Sequence, residues 1–338
     1  MKKTLIIICT LFSLNVFAGK GTLPSNILWY DQPAKIWQKE CLPIGNGHLG
    51  GMIFGGVKEE HIQFNEDSVW IGDENDTGAY QAFGDLIINF TGKEEDVSNY
   101  RRELNINKAL HTISYKAGGI SYQREYFSSN PADVMVFRLT ADRQGAYNGT
   151  ISLRDAHKAV IKAEGNKLSF SGLLSGKYRK PKDNYAIQLN YEAQVQVINE
   201  GGSLQVDNDK ISFKNCDSLL ILLSGDTDYL NRHDKAWKQE HPHQRISQLL
   251  EKASKRSFEQ LRQEHIEDYQ SLFKRLSLDL GKPRKAYWLY PHLSAWTHIG
   301  EARQVAPRAL LTRRMHLTWP EASLIRNWRN SFFSTPVT

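Results

Sequence analysis

Asn46, His48, Asn65, Glu66 and Asp67 are the polar side chains of this chain best placed to do chemistry. They stand at the two ends of one stretch, Leu42 to Trp70, which reads LPIGNGHLGGMIFGGVKEEHIQFNEDSVW. Polar residues clustered at strand ends suit a rim that faces a ligand or a second domain. They also suit ordinary turns, because the adjacent Glu66 and Asp67 could cap a turn with no further role. Asp85, Glu103 and Glu125 are further candidate carboxylates, but ion pairing accounts for Arg101, Arg102 and Glu103 on one extended segment. Asp226-Thr227-Asp228 reads as a turn or helix cap. His241-Pro242-His243 is too isolated to make a metal site. The chain holds no HExxH, nucleophile elbow, P-loop or cysteine metal cluster. The sequence therefore assigns no catalytic residue, no metal and no cofactor.

The elements that must position the rim are legible around it. Six glycines (Gly45, Gly47, Gly50, Gly51, Gly55 and Gly56) surround the apolar run Met52-Ile53-Phe54. Ile44–His48 reads as a tight turn feeding a buried strand, and Phe54–Val57 as the next turn. His61-Ile62-Gln63-Phe64 alternates polar and apolar, the period of a half-buried strand. Asn65–Ser68 closes it with side chains that bond their own backbone. The pattern alone describes a glycine-rich hairpin at the edge of a sandwich.

The chain of 338 residues has room for two domains. Residues 26–230 read as short strands separated by turns. Ile113–Tyr115 and Ile120–Tyr122 flank a hairpin turn, and Val134–Leu139 is a strand entering the core. Ala159–Ala163 and Leu168–Phe170 pair across Gly165-Asn166. Tyr185–Ile198 alternates over a long run, with Ile187, Leu189, Tyr191, Ala193, Val195 and Val197 on one face. Ser218–Leu223 is apolar on both faces and predicts a central strand. The fold class is mainly β, a large antiparallel sandwich. From His241 to Leu276 the period becomes helical: Ile246, Leu249, Leu250 and Ala253 share one face, and Phe258, Leu261, His265, Tyr269, Leu272, Phe273 and Leu276 a second. Ser257-Phe258-Glu259-Gln260 fits a capping box. His265, inside that stripe, reads as a core or interface histidine.

Several segments together resemble glycoside hydrolase family 95, known chiefly for α-L-fucosidases with some α-L-galactosidases. They are LWYDQPAK from Leu28, LPIGNGHLGGMIFGG, IQFNEDSVWIG, and Gly78–Leu86 (GAYQAFGDL), followed by Tyr100–Ile106 and Tyr122–Phe127. Order and spacing agree from about Asn26 to Gly281, and no single motif would be specific alone. The resemblance implies a β-supersandwich over 24–235, a helical linker over 236–281, and fucosylated glycan as substrate of the intact enzyme. It also implies inverting hydrolysis by an acid and a base. In the family those groups belong to an (α/α)6 barrel that follows the linker. No position here matches them, so none is carried over and this chain alone is expected to be inactive.

Both ends of the chain depart from that pattern. Met1–Ala18 has Lys2 and Lys3 before an apolar run and a small-residue cleavage site, a secretory signal peptide. The run is short for a membrane span, so a secreted or periplasmic protein without a stable anchor is expected. Cleavage leaves Cys41 and Cys216, which read as buried free thiols. From Lys282 onward the segment carries +7 of the chain's net +6, leaving the body near −1, so the basic balance does not argue for nucleic acid. This tail, 282–338, has four tryptophans, seven arginines and no sustained period. It could be a basic aromatic arm, but translation out of frame explains it better. Codons can be chosen for Ser323–Thr338 that, read from the third base, give PYPELAKLFFQYARY, similar to the helix opening the family's barrel. Two function classes follow. One is the sandwich and linker of an exported α-L-fucosidase. The other is a non-catalytic carbohydrate-binding sandwich that stacks sugar on Trp29, Trp37 or Trp70.

Overall fold

The computed structural model describes residues 26–73, 77–91, 96–177 and 186–277. The segments read above as a signal peptide and a basic tail lie outside the described residues. No helix among the described residues is long and apolar enough to cross a membrane.

Two antiparallel sheets face each other. Among the described residues the larger has nine strands. They run in space as Ile27–Tyr30, Ser98–Asn105, Leu110–Ala117, Ile120–Ser129, Val134–Ala141, Ser218–Thr227, Ala186–Glu200, Lys167–Lys177 and Lys162–Glu164. The smaller has seven: Ser203–Asp207, Lys210–Cys216, Tyr147–Asp155, Gly84–Phe90, Glu59–Glu66, Leu49–Ile53 and Leu42–Gly45. The glycine-rich hairpin is thus the edge of the smaller sheet. A separate ribbon pairs Trp70–Ile71 with Ala79–Tyr80. The expected strand at Ala159–Ala163 starts later, at Lys162.

Alternation drives the packing. From Ala186–Glu200, Leu189, Tyr191, Ala193, Val195 and Val197 enter the core between the sheets. There they meet Phe64, Phe83 and Phe170, whose rings pack edge-on around Phe83 at 5.4 and 5.6 Å. Ser218–Thr227 is central, as its two apolar faces require. Leu219, Ile221 and Leu223 face the inter-sheet core, while Leu220 and Leu222 face outward beneath helices.

Those helices are α1 (Trp37–Glu40), a single turn elsewhere, then α2 (His243–Ser254) and α3 (Phe258–Phe273), which cover the outer face. Ile246, Leu250 and Ala253 of α2 are buried in a second core with Phe127, Val134 and Val136. The capping box forms: Ser257 Oγ accepts from Gln260 N at 3.2 Å, and Ser257 N donates to Gln260 Oε1 at 2.9 Å. His265 is a core histidine, stacked on Phe127 at 4.7 Å and 3.1 Å from the carbonyls of Lys108 and Ala109. Leu272 and Leu276 leave the expected stripe, being 56% and 81% exposed.

Strand Glu59–Glu66 shows what a period of two carries with it. Ile62 and Phe64 point inward, and so do Glu60 and Glu66 at its ends. At one end Glu60 is buried against Arg124 at 3.2 Å, Tyr126 Oη at 3.0 Å and the amide of Gly55 at 2.7 Å. Burying that pair is tolerable because both Glu60 oxygens and both terminal nitrogens of Arg124 find partners, leaving Arg124 Nε alone without one. Ion pairing fits Arg101, whose Nε meets Glu103 at 2.7 Å. It does not fit Arg102, which is buried and donates to the carbonyls of Gln32 and Glu40 at 2.8 and 2.7 Å. Cys41 and Cys216 are buried free thiols.

Candidate functional site

At the other end of that strand the rim residues assemble. The turn Asn46–His48 joins Leu42–Gly45 to Leu49–Ile53. Gly47 sits at φ +94, where any side chain would be strained. Asn46 Oδ1 accepts from the amides of His48 and Leu49 at 3.0 and 2.7 Å, the local bond that makes asparagine a turn residue. Its Nδ2 reaches to the larger sheet, donating to Ser129 O at 3.0 Å and to Asp133 Oδ1 at 3.3 Å.

His48 lies between two carboxylates. Its Nδ1 is 2.8 Å from Asp133 Oδ1 and its Nε2 is 2.9 Å from Glu66 Oε1. The bond to Asp133 and then that to Glu66 raise the His48 pKa to about 10. Burial raises Glu66 to about 7 against the pull of His48. Ser68 holds Glu66 from the other side, through its amide at 3.0 Å and its hydroxyl at 2.8 Å. That hydroxyl in turn meets Thr227 Oγ1, at the end of the central strand, at 2.5 Å. Asp67 is exposed beside Glu66, and its amide donates to His48 O at 3.0 Å.

Chemically, His48 is a fixed imidazolium near neutral pH. A ring held protonated by two acceptors is a poor proton carrier and a good tie between loops of opposite sheets. Donor atoms of His48, Glu66 and Asp67 lie within 4.8 Å of one another, a spacing that could hold a cation. Both ring nitrogens already meet carboxylates, so a cation would have to separate His48 from Glu66.

The structure brings four of the five rim residues together. Asn65 points to the opposite side of its strand. It donates to Gln81 O at 3.1 Å, tying down the Trp70–Tyr80 ribbon. Sequence reasoning missed Asp133 and read Ser68 and Thr227 only as turn or cap residues. Asp133 belongs to a turn after Asn130, and only the pairing of distant strands sets it beside His48. The other candidate carboxylates are engaged: Asp85 with His61 at 2.8 Å, Glu103 with Arg101, and Glu125 with Arg262 of α3. Asp226 and Thr227 continue the central strand instead of forming the expected turn or cap; Asp226 meets Arg245 at 2.8 Å, and Asp228 just beyond meets Lys238 at 3.0 Å. His243 and His241 both face one buried carboxylate, Glu192, at 2.7 and 3.7 Å.

The model of the glycosyl hydrolase family 65 N-terminal domain matches residues 28–80 and 73–232. The chain belongs to that family of glycoside hydrolase amino-terminal domains. Among curated proteins it is similar to "Alpha-L-fucosidase 2" of Arabidopsis thaliana, 25% identical over 309 residues, covering 75% of this chain and 36% of the relative. "Probable alpha-fucosidase A" of Aspergillus niger is 25% identical over 311 residues, covering 76% and 38%. The Aspergillus oryzae protein of the same name is 23% identical over 329 residues, covering 78% and 43%. The chain thus spans well under half the length of these relatives.

Proposed function

We propose that this chain is the sandwich and linker of an exported α-L-fucosidase of glycoside hydrolase family 95, acting on terminal α-L-fucosides by inversion. The observation that carries the reading is the similarity of about three quarters of the chain to three α-fucosidases. The site geometry supports a bracing role. Inverting hydrolysis needs two carboxyl groups about 6.5–9.5 Å apart with water between them. Here Glu66, Asp85, Glu103 and Glu125 each face a basic partner. The resemblance to family 95 assigns the acid and base to a barrel that follows the linker, and the rim faces that barrel or its glycan. The basic tail is read as out of frame with it. Export through the amino-terminal leader places the protein in the periplasm or outside the cell.

Sequencing the gene from the codon of Leu276 to several hundred bases past Thr338 tests this. The reading expects a second frame that continues as barrel sequence. A clean frame followed by noncoding DNA contradicts it and favours the carbohydrate-binding sandwich.

A further inference from the structure

The structure separates the three tryptophans that could stack a sugar. The Arg101 guanidinium covers the Trp29 ring at 4.6 Å. The Nε1 of Trp37 is buried. Trp70 is 37% exposed, and Tyr80, its direct cross-strand partner, is 54% exposed. Among the described residues these are the only aromatic side chains in the exposed large hydrophobic set.

Their ribbon is held firmly. Two strands of two residues cannot stabilise themselves in water. Gln81 N donates to Val69 O at 2.8 Å, and Asn65 Nδ2 holds Gln81 O at 3.1 Å. Ile71, on the other face, packs where Gly176 leaves space; a Cβ at Gly176 would come within 2.1 Å of it. The Trp70 indole lies against Gly72, where a Cβ would stand 2.7 Å from the ring. The two rings are 6.4 Å apart and tilted by 39°, so neither face is closed by the other.

A single exposed apolar residue needs no explanation. Two adjacent aromatic faces, fixed on an anchored ribbon, mark a contact surface. Tyrosine and tryptophan serve surfaces that are apolar on one side and wet on the other. A pyranose has that character, with C–H faces that stack and hydroxyl edges that take hydrogen bonds. We propose that Trp70 and Tyr80 form a saccharide-stacking subsite on this ribbon. The inference rests on the reading of this chain as part of a glycan-acting hydrolase, and it adds the residues that hold the sugar away from the reacting bond.

Saturation-transfer NMR on the purified 338-residue chain, with 2′-fucosyllactose and lactose as probes, tests it. Transfer to sugar ring protons is expected. It should fall about fivefold in Trp70→Ala and in Tyr80→Ala, each removing one stacked ring, and recover in Trp70→Phe. Tyr80 is the more exposed, so Tyr80→Ala should melt as the parent does, and Trp70→Phe keeps a ring against Gly72 where Trp70→Ala gives it up. Transfer that survives both alanine variants overturns the stacking subsite and moves the sugar contact elsewhere on the chain. No transfer to either sugar at millimolar concentration also overturns it. That result leaves the fucosidase reading standing, which does not require this chain to hold sugar alone.

Discussion

His48 and Asp133 are 85 residues apart in the chain and 2.8 Å apart in space. Their contact ties the turn at the edge of the smaller sheet to a turn of the larger one, with Glu66 completing the clamp at 2.9 Å. Raising the His48 pKa to about 10 means that the folded chain holds this proton more tightly than the unfolded chain does. The stability linked to the His48 proton is therefore complete below the ordinary histidine value and lost as pH rises through about 10, while Glu66, raised to about 7 by burial, takes up its own proton as pH falls through that range. The His48 ring resonances should not titrate between pH 6 and about 8.5 in an NMR series, given a pKa near 10. In Asp133→Asn they should titrate earlier.

The same clamp sets an order of stability losses. Asp133 is partly exposed, so Asp133→Asn should cost only about 1 kcal/mol. His48→Ala should cost more, roughly 2–3 kcal/mol, because it leaves Glu66 buried without its main partner. Urea denaturation of the two variants checks the order. Equal losses would mean that Glu66 is satisfied by Ser68 alone.

How much of this was open to a sequence reader depends on range. The hairpin around Gly47, the alternation through Ile62 and Phe64, the central strand at Ser218 and the Ser257 capping box are local patterns, and each appears where its residues demand. The inward turn of Glu60 and Glu66 follows from the same alternation, yet a carboxylate inside a sandwich is credible only once Arg124 and His48 are in place. Glu192 and Gln194 are buried because α2 covers their side of the sheet, and nothing in the strand's own pattern announces a helix on that face. Arg102 reads as an ion-pair partner beside Glu103, but its strand carries it into backbone carbonyls of a distant loop.

His111 should make the fold acid-sensitive. It is fully buried and stacked on Tyr126 at 5.7 Å, and burial, then Arg102, lower its pKa to about 3. The unfolded chain binds that proton below the ordinary histidine value and the folded chain does not. Stability present above about pH 6.5 is then lost as pH falls toward 3, at about 1.4 kcal/mol per pH unit. Thermal melts of His111→Phe between pH 7 and about 4.5 should show a shallower decline than the parent. Identical slopes would assign the acid loss to other groups.

The helices make an opposite pair of predictions. Leu250 of α2 is fully buried against the outer face of the larger sheet, so Leu250→Ala should cost about 2–5 kcal/mol. Leu272→Glu and Leu276→Glu alter exposed positions and should change stability by no more than about 0.5 kcal/mol. If these leucines belong to a face that a further domain covers, the double glutamate variant should also reduce self-association in light scattering.

In the proposed function this sandwich supports a glycosidase without performing its chemistry. Incubating the purified chain with an aryl α-L-fucoside and following phenol release puts that to the test. No release above the buffer rate is expected, and the same rate for Asp67→Asn. Turnover by the chain that disappears in Asp67→Asn would contradict it and place catalysis on the rim itself.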